Sequence, residues 1–274
     1  MKETEIHVAI PSFNNVEGLR KLIPALQQQS FTTITVLDDA STDETKEYCA
    51  QNTSIKYVRS EKNLGTVGAN NLILKAMPSS GYLLCIDSDM EVVSEDIPGV
   101  MRNFFDKHPR VGAGVGRVVS QYGDTLRWNY NYDINPWRAV FAFATYHAAV
   151  VSKNIPLLGN MFRRLSLPFT THLSSNENKK IDWGIESFFF VRTDLWVKLG
   201  GFDSRFKRFH EGPDLFLQIR KMGFQTWFIS DIVLKDTDQN TASTWFRRYH
   251  WWRSALIYFY KNPSRLFFYY WPRP

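Results

Sequence analysis

Asp87-Ser88-Asp89 follows the apolar run Tyr82-Leu83-Leu84-Cys85-Ile86. Residues two apart on a strand project to one side, so this run delivers two carboxylates to one place. Two such charges repel unless something positive sits between or beside them. A hard divalent ion, Mg²⁺ or Mn²⁺, bridging to a diphosphate meets that need. The plainer alternative is a pair of solvated carboxylates in a loop. Chelation gains weight from Asp38 and Asp39, which end a second apolar run at 33–37. Acids at the end of a buried strand are placed to hydrogen-bond a base or a ribose. Asp43, just downstream, reads as a cap for the next helix. Asn63-Leu64-Gly65 follows a third strand-like run and leads to Gly68. Glycines there let backbone approach a ligand, and a helix N-terminus can face phosphate. The spacing is neither a dinucleotide GxGxxG loop nor a Walker loop.

These residues need elements to hold them. Strands are expected at 6–10, 33–37, 55–59, 82–86 and 111–119, and helices at 16–29, 42–51, 68–77 and 94–108. That alternation gives an α/β fold with a mostly parallel central sheet flanked by helices. Ligands of such sheets sit beyond the carboxyl ends of the strands, where Asn14, Asp38, Asp39, Asp87 and Asp89 all fall. Regularity weakens over 120–180, which reads as a helical insertion over the acceptor side. Order returns with a strand at 185–191, a helix at 193–199, a helix at 215–222 stopped by Gly223, and a strand at 226–229. From 244 the chain reads as an amphipathic helical tail with basic and aromatic faces.

Pro11-Ser12-Phe13-Asn14, VLDDASTDET at 36–45, NLG at 63–65, DSD at 87–89, GGFDSRF at 200–206 and EGPDLFLQIRKMG at 211–223 occur in this order. Together they resemble the inverting family 2 glycosyltransferases, over roughly residues 5–120 and 185–240. The resemblance implies a GT-A-like domain over 1–243, with a Rossmann-like nucleotide-sugar-binding half (1–120), the insertion (120–184) and an acceptor and catalytic half (185–243), followed by the tail (244–274). It implies a nucleotide-diphosphate sugar donor and a glycan or lipid-linked acceptor, usually in bacterial cell-surface polysaccharide or glycolipid synthesis. Asp39, with Asp38, would contact the base. Pro11 and Phe13 would line the nucleotide pocket, with Asn14, Asn63 and Gly65 alongside. Asp89 would be the main metal ligand, with Asp87 facing the ribose or the metal.

Two positions depart from the family pattern. Glu211-Gly212-Pro213-Asp214 carries Gly212 where the resemblance leads one to expect the catalytic Asp. Glu211, the first choice, or Asp214 would then be the base, while helix capping is the plainer role for both. His210 could tune that base. After the last strand the family places a metal-binding His, whereas this chain has Lys235-Asp236. Asp236 could replace the His, or Lys235 could neutralise the diphosphate. The departures keep a second reading open: a catalytically silent relative that binds nucleotide or glycan.

Composition bounds the rest. A net charge of +6 suits anionic partners such as nucleotides or phospholipid surfaces. Nucleic acid is not indicated, since the basic residues form no long run and no zinc-finger spacing occurs. The 21 Phe, 12 Tyr and 9 Trp are concentrated toward the tail, mixed with Arg and Lys, as at a membrane interface. No apolar run reaches the roughly 20 residues of a spanning helix, and the N-terminus runs straight into a strand. The chain therefore reads as cytoplasmic, with 244–274 as a peripheral contact to the inner face of a membrane. Cys49 and Cys85 read as buried thiols.

Overall fold

The computed structural model describes residues 3–78, 80–123, 129–131, 175–237 and 244–263, with side chains of the last segment from 249 onward. In chain order it begins with β1 (Ile6–Ser12), α1 (Val16–Gln27), β2 (Thr33–Asp38), α2 (Thr45–Gln51), β3 (Lys56–Arg59) and α3 (Gly65–Asn71). A 3₁₀ turn (Leu72–Ala76) leads to β4 (Tyr82–Ile86), β5 (Met90–Val92), α4 (Ile97–Lys107) and β6 (Val111–Val119). The short strands β7 (Tyr130–Asn131), β8 (Lys179–Lys180) and β9 (Trp183–Gly184) precede β10 (Phe188–Arg192) and α5 (Thr193–Leu199). Then come α6 (Glu211–Lys221), β11 (Gln225–Asp236) and α7 (Thr244–Lys261).

One sheet runs β3-β2-β1-β4-β10-β6-β11-β5, with β8 also on β11. Its two faces are covered because the strands are apolar on both sides. Ile6, Val8 and Ile10 join one core cluster with Leu19 and Leu22 of α1 and Met101 and Phe105 of α4. Ala9, Leu83 and Cys85 face the other, with Trp196 of α5, Phe216 of α6 and Tyr258 of α7. The β3-β2-β1-β4 half is parallel, as the sequence pattern predicts. Beyond it the sheet is mixed: β10 runs antiparallel between β4 and β6. The direction of β10 positions the site. Its first residue, Phe188, pairs with the last of β4, Ile86, so the segment just before β10 meets the turn just after β4.

Several boundaries move, each for a local reason. The helix expected from 42 starts at Thr45, because Asp38, Asn14 and Asp43 take the backbone N–H groups of Ser41, Thr42 and Thr45. The helix expected from 215 starts at Glu211, with Pro213 in its first turn, where the missing N–H costs no intrahelical bond. Gly223 ends the excursion at φ 85°, as expected. Asp87 and Asp89 are not alternate residues of a strand. β4 ends at Ile86, and Met90 N–H donates to Asp87 O at 3.1 Å, so a tight turn brings the two acids together. Both cysteines are buried and unbridged.

Most of the expected insertion lies outside the described residues. Its two ends meet where β7 pairs antiparallel with β9. The tail beyond 263 is likewise outside. Among the described residues no helix is long and apolar enough to cross a membrane.

The described part of the tail docks through a polar lock. Lys261 Nζ donates to Asp214 Oδ2 at 2.6 Å and to Asp203 Oδ2 at 2.8 Å. Asn262 Nδ2 donates to Asp214 Oδ1 at 3.3 Å, and Ser254 Oγ to Arg208 O at 2.7 Å. Stripping one partner from a buried pair strands the other charge. Lys261→Met is therefore expected to destabilise the chain by about 3 kcal/mol, at the low end for such a break. Denaturant unfolding checks this, and an unchanged midpoint would mean that the lock holds nothing.

Candidate active site

At the carboxyl ends of β1 and β2 the loops are laced together. Asn14, at φ 50°, donates its N–H to Ser41 Oγ at 2.9 Å, and its Oδ1 accepts from Thr42 N–H at 2.7 Å. Asp38 is wholly buried. It accepts from Ser41 N–H, Tyr57 Oη and the Arg59 guanidinium. Burial pushes its carboxyl up, but the bonds from Ser41 and Tyr57 and the charge of Arg59 outweigh that and hold it below the usual carboxylate range. Asp39 accepts from Leu64 N–H at 2.7 Å, Gly65 N–H at 2.9 Å and Ser60 Oγ at 3.2 Å. Asn63 Oδ1 also accepts from Gly65 N–H. The structure thus brings Asn14, Asp38, Asp39, Asn63 and Gly65 to one end of the sheet. There the two acids act as inner ties between loops. Pro11 is half-buried above them, and Phe13 is 49% exposed, its ring open to a ligand.

The second group is acidic. Asp87 N–H donates to Ser187 O at 2.9 Å, linking the turn after β4 to the entry of β10. The turn is braced from below by α1. Asn15 Nδ2 donates to Ser88 Oγ at 3.0 Å, and a Cβ on Gly18 would lie 2.1 Å from Ser88 O, so only glycine fits there. Asp236 ends β11 opposite Met90, the residue after Asp89. Thr237 Oγ1 donates to Asp89 O at 2.7 Å and fixes that approach. Burial pushes the Asp87 carboxyl well above the ordinary range, and Asp89, Asp236 and Glu211 push it further. Arg208 acts on it in the other direction. Among the described residues no three His, Cys, Asp or Glu side chains converge closely enough to hold an ion. What converges is negative charge.

Glu211 opens α6 from a contorted approach. Phe209 and His210 both take left-handed backbone angles, φ 66° and 65°, conformations that cost energy and cluster at functional sites. Glu211 is 3% exposed, and its Oε2 has no hydrogen-bond partner among the described residues. Burial raises its carboxyl against the pull of the Glu211 and Phe209 backbone N–H groups and of Arg208. His210 is packed against Trp251 and Tyr258, and burial lowers it to about 4, so it is neutral at ordinary pH.

The structure separates residues that the sequence left together. Asp214 is held by Lys261, Asn262 and Gln218 and does not figure among the charges crowding Asp87. Lys235, a candidate for the diphosphate, instead pairs with Glu91 at 2.7 Å across β11 and β5. Two charged members of the recess were missed from sequence. Arg208 looked like one more basic residue. Glu186 precedes the run Phe188-Phe189-Phe190, and an acid at the head of so apolar a strand was the available signal.

The sequence matches the family described as glycosyl transferase family 2 over residues 7–190. No curated protein matches it. Solved structures share the fold. S. aureus TarS 1–349 in complex with UDP superposes with a TM-score of 0.57 at 16% identity, over 85% of this chain and 60% of that one. GalNAc-T7 with UDP, GalNAc and Mn²⁺ gives 0.60 at 14%, over 86% and 44%. The Pyrobaculum calidifontis mannosyltransferase PcManGT in complex with GDP-Man and Mn²⁺ gives 0.57 at 14%, over 97% and 65%. The chain thus spans three-fifths or less of the first two. With acids at the strand ends of a GT-A-like α/β fold and a family match covering more than half its length, the chain belongs to glycosyl transferase family 2.

Proposed function

We propose that this chain moves a sugar from a nucleotide-diphosphate donor to an acceptor hydroxyl with inversion. The observation that carries the reading is the crowding of Asp87 by Asp89, Asp236 and Glu211, opposed by Arg208. Hard carboxylate oxygens suit Mg²⁺ or Mn²⁺. Asp89, Asp87 and Asp236 do not by themselves close on an ion, but an ion brought to them with the donor diphosphate would offset the charge of both the recess and the leaving group. Phe13, with Pro11 and Asn14, receives the base, while Asp38 and Asp39 keep the surrounding loops in shape together with Asn63 and Gly65. In a single displacement the acceptor oxygen attacks the anomeric carbon while a carboxylate takes its proton. Of Glu211 and Asp214, Glu211 is the one that belongs to this acidic recess: one of its oxygens is unpartnered, whereas Asp214 is engaged by Lys261.

The finer setting follows the family resemblance: a glycan or lipid-linked acceptor, in bacterial cell-surface polysaccharide or glycolipid synthesis. The organisation into a domain over 1–243 and a tail over 244–274 belongs to the same reading. On α7, Tyr249, Leu256 and Tyr260 are exposed at helical spacing, which supports peripheral contact with the cytoplasmic face of a membrane. UDP and GDP-mannose, carried by the structural neighbours, are the first ligands to try. Gly212 keeps the silent-relative alternative alive, and release of nucleoside diphosphate by the purified chain separates the two.

Asp89→Ala is expected to abolish transfer while leaving the circular dichroism spectrum unchanged. Full activity of this variant in excess EDTA would sink the metal assignment. Glu211→Gln is expected to slow transfer by at least about a hundredfold, as losing a member of the proton-accepting unit does. Asp214→Asn should mainly lower the melting temperature, and the opposite ranking of the two variants would move the reacting acids from the recess to Asp214.

The buried acids also set a pH dependence of stability. Burial raises Glu211 to about 7, and Glu186 to about 8 with the charge of Glu211 adding. The stability each contributes is present below its unfolded value of 4.5 and is lost as pH rises through the folded one. Lowered histidines such as His210 oppose this only below their unfolded value of 6.5. The ligand-free chain should therefore lose on the order of 1 kcal/mol between pH 7 and 8.5. Stability that is flat or rising over that window contradicts the crowded recess.

A further inference from the structure

The space that a side chain at residue 212 would occupy is already filled. A Cβ built on Gly212 would lie 2.6 Å from both Cγ and Oε1 of Glu186 and 2.9 Å from its Cδ. Gly212 N–H also bonds the Glu186 carboxylate. The glycine is therefore not an empty place: a carboxylate from another element sits in it. The topology explains how. Because β10 runs antiparallel to β4, residues 186 and 187 lie beside the turn that carries Asp87 and Asp89, and Asp87 N–H donates to Ser187 O. On its other side Glu186 meets the head of α6, where Glu211 opens the helix. As a residue Glu186 is half-buried, whereas Glu211 is 3% exposed.

Resting on the transferase reading above, we propose that Glu186 is the catalytic base of this enzyme, and that Gly212 is present to admit it. As the acceptor oxygen bonds to the anomeric carbon, its proton passes to Glu186 and the bond between that carbon and the nucleoside diphosphate breaks, its electron pair leaving with the diphosphate. Glu211 is the positioning partner. Its buried negative charge favours the protonated form of Glu186, which makes Glu186 a stronger base than an isolated carboxylate. The two act as a unit, so loss of either impairs the reaction.

A competing role is purely structural. α6 has no side-chain cap of its own at His210, and Glu186 could simply accept from the helix N-terminus. Glu186→Gln separates the roles, because the amide oxygen still accepts from Gly212 N–H but takes up no proton. The assay is release of nucleoside diphosphate from UDP-glucose, UDP-N-acetylglucosamine and GDP-mannose with Mn²⁺, using the whole chain. For Glu186→Gln we expect kcat to fall by about a hundredfold or more, with donor KM and melting temperature unchanged. With the Glu186 side chain gone, an acid at 212 has the space to replace it. The double variant Glu186→Ala/Gly212→Asp should recover at least about tenfold over Glu186→Ala, a fraction of the full general-base contribution. Wild-type kcat in Glu186→Gln, or a folded double variant no better than Glu186→Ala, overturns the assignment. A folded wild-type chain that neither binds nor turns over any donor would instead overturn the transferase reading, and this inference with it.

Discussion

Negative charge confined at the ends of β4 and β11 and the head of α6 is the constraint on which the site depends. Asp87, Asp89, Asp236, Glu211 and Glu186 act on one another there, and Arg208 is the basic group that eases Asp87. A folded chain tolerates such an arrangement only by protonating some members or by taking in positive charge from outside. In this chain both options bear on function. The first makes carboxylates basic enough to accept a proton near neutrality. On the proposed function, the second would make the recess a receptor for a cation and for whatever anion that cation escorts.

The fold holds this arrangement through rigid parts rather than through the acids themselves. The turn of Asp87 and Asp89 is pinned above by the Ser187 carbonyl and below by Asn15, at a distance that Gly18 alone permits. Asp236 arrives because β11 pairs with β5, which follows the same turn. The left-handed angles at Phe209 and His210 turn the chain into α6. α7 then clamps that region through Ser254, Tyr258 and Lys261. Strain at 209–210 is offset by this packing, so the docked part of the tail supports the site whatever its outer face contacts.

The sequence made some of this legible and hid the rest for physical reasons. Asp38, Asp39, Asp87 and Asp89 stood out because acids that end apolar runs contrast with their surroundings. The parallel half of the sheet followed from alternation of strand and helix. What failed was whatever depends on pairing between distant segments. Glu211 and Asp214 are three residues apart on one helix, and what distinguishes them comes largely from Lys261 and Asn262, about 47 residues beyond Asp214. Glu186 carried only the faint signal of an acid heading an apolar strand, because its place beside Asp87 follows from the antiparallel course of β10, which no local pattern encodes. Gly212 looked like a loss until the side chain filling its space was seen.

On the proposed function, the acidic recess binds a cation together with a nucleoside diphosphate. Thermal shift of the wild-type chain against UDP, GDP, CDP and ADP, with and without Mn²⁺, tests it most directly. Ligand that binds only the folded state raises the melting temperature by mass action. One of these nucleotides should stabilise the chain strongly with Mn²⁺ and weakly without it. Stabilisation by none of them, or equal stabilisation with and without the metal, would contradict the account.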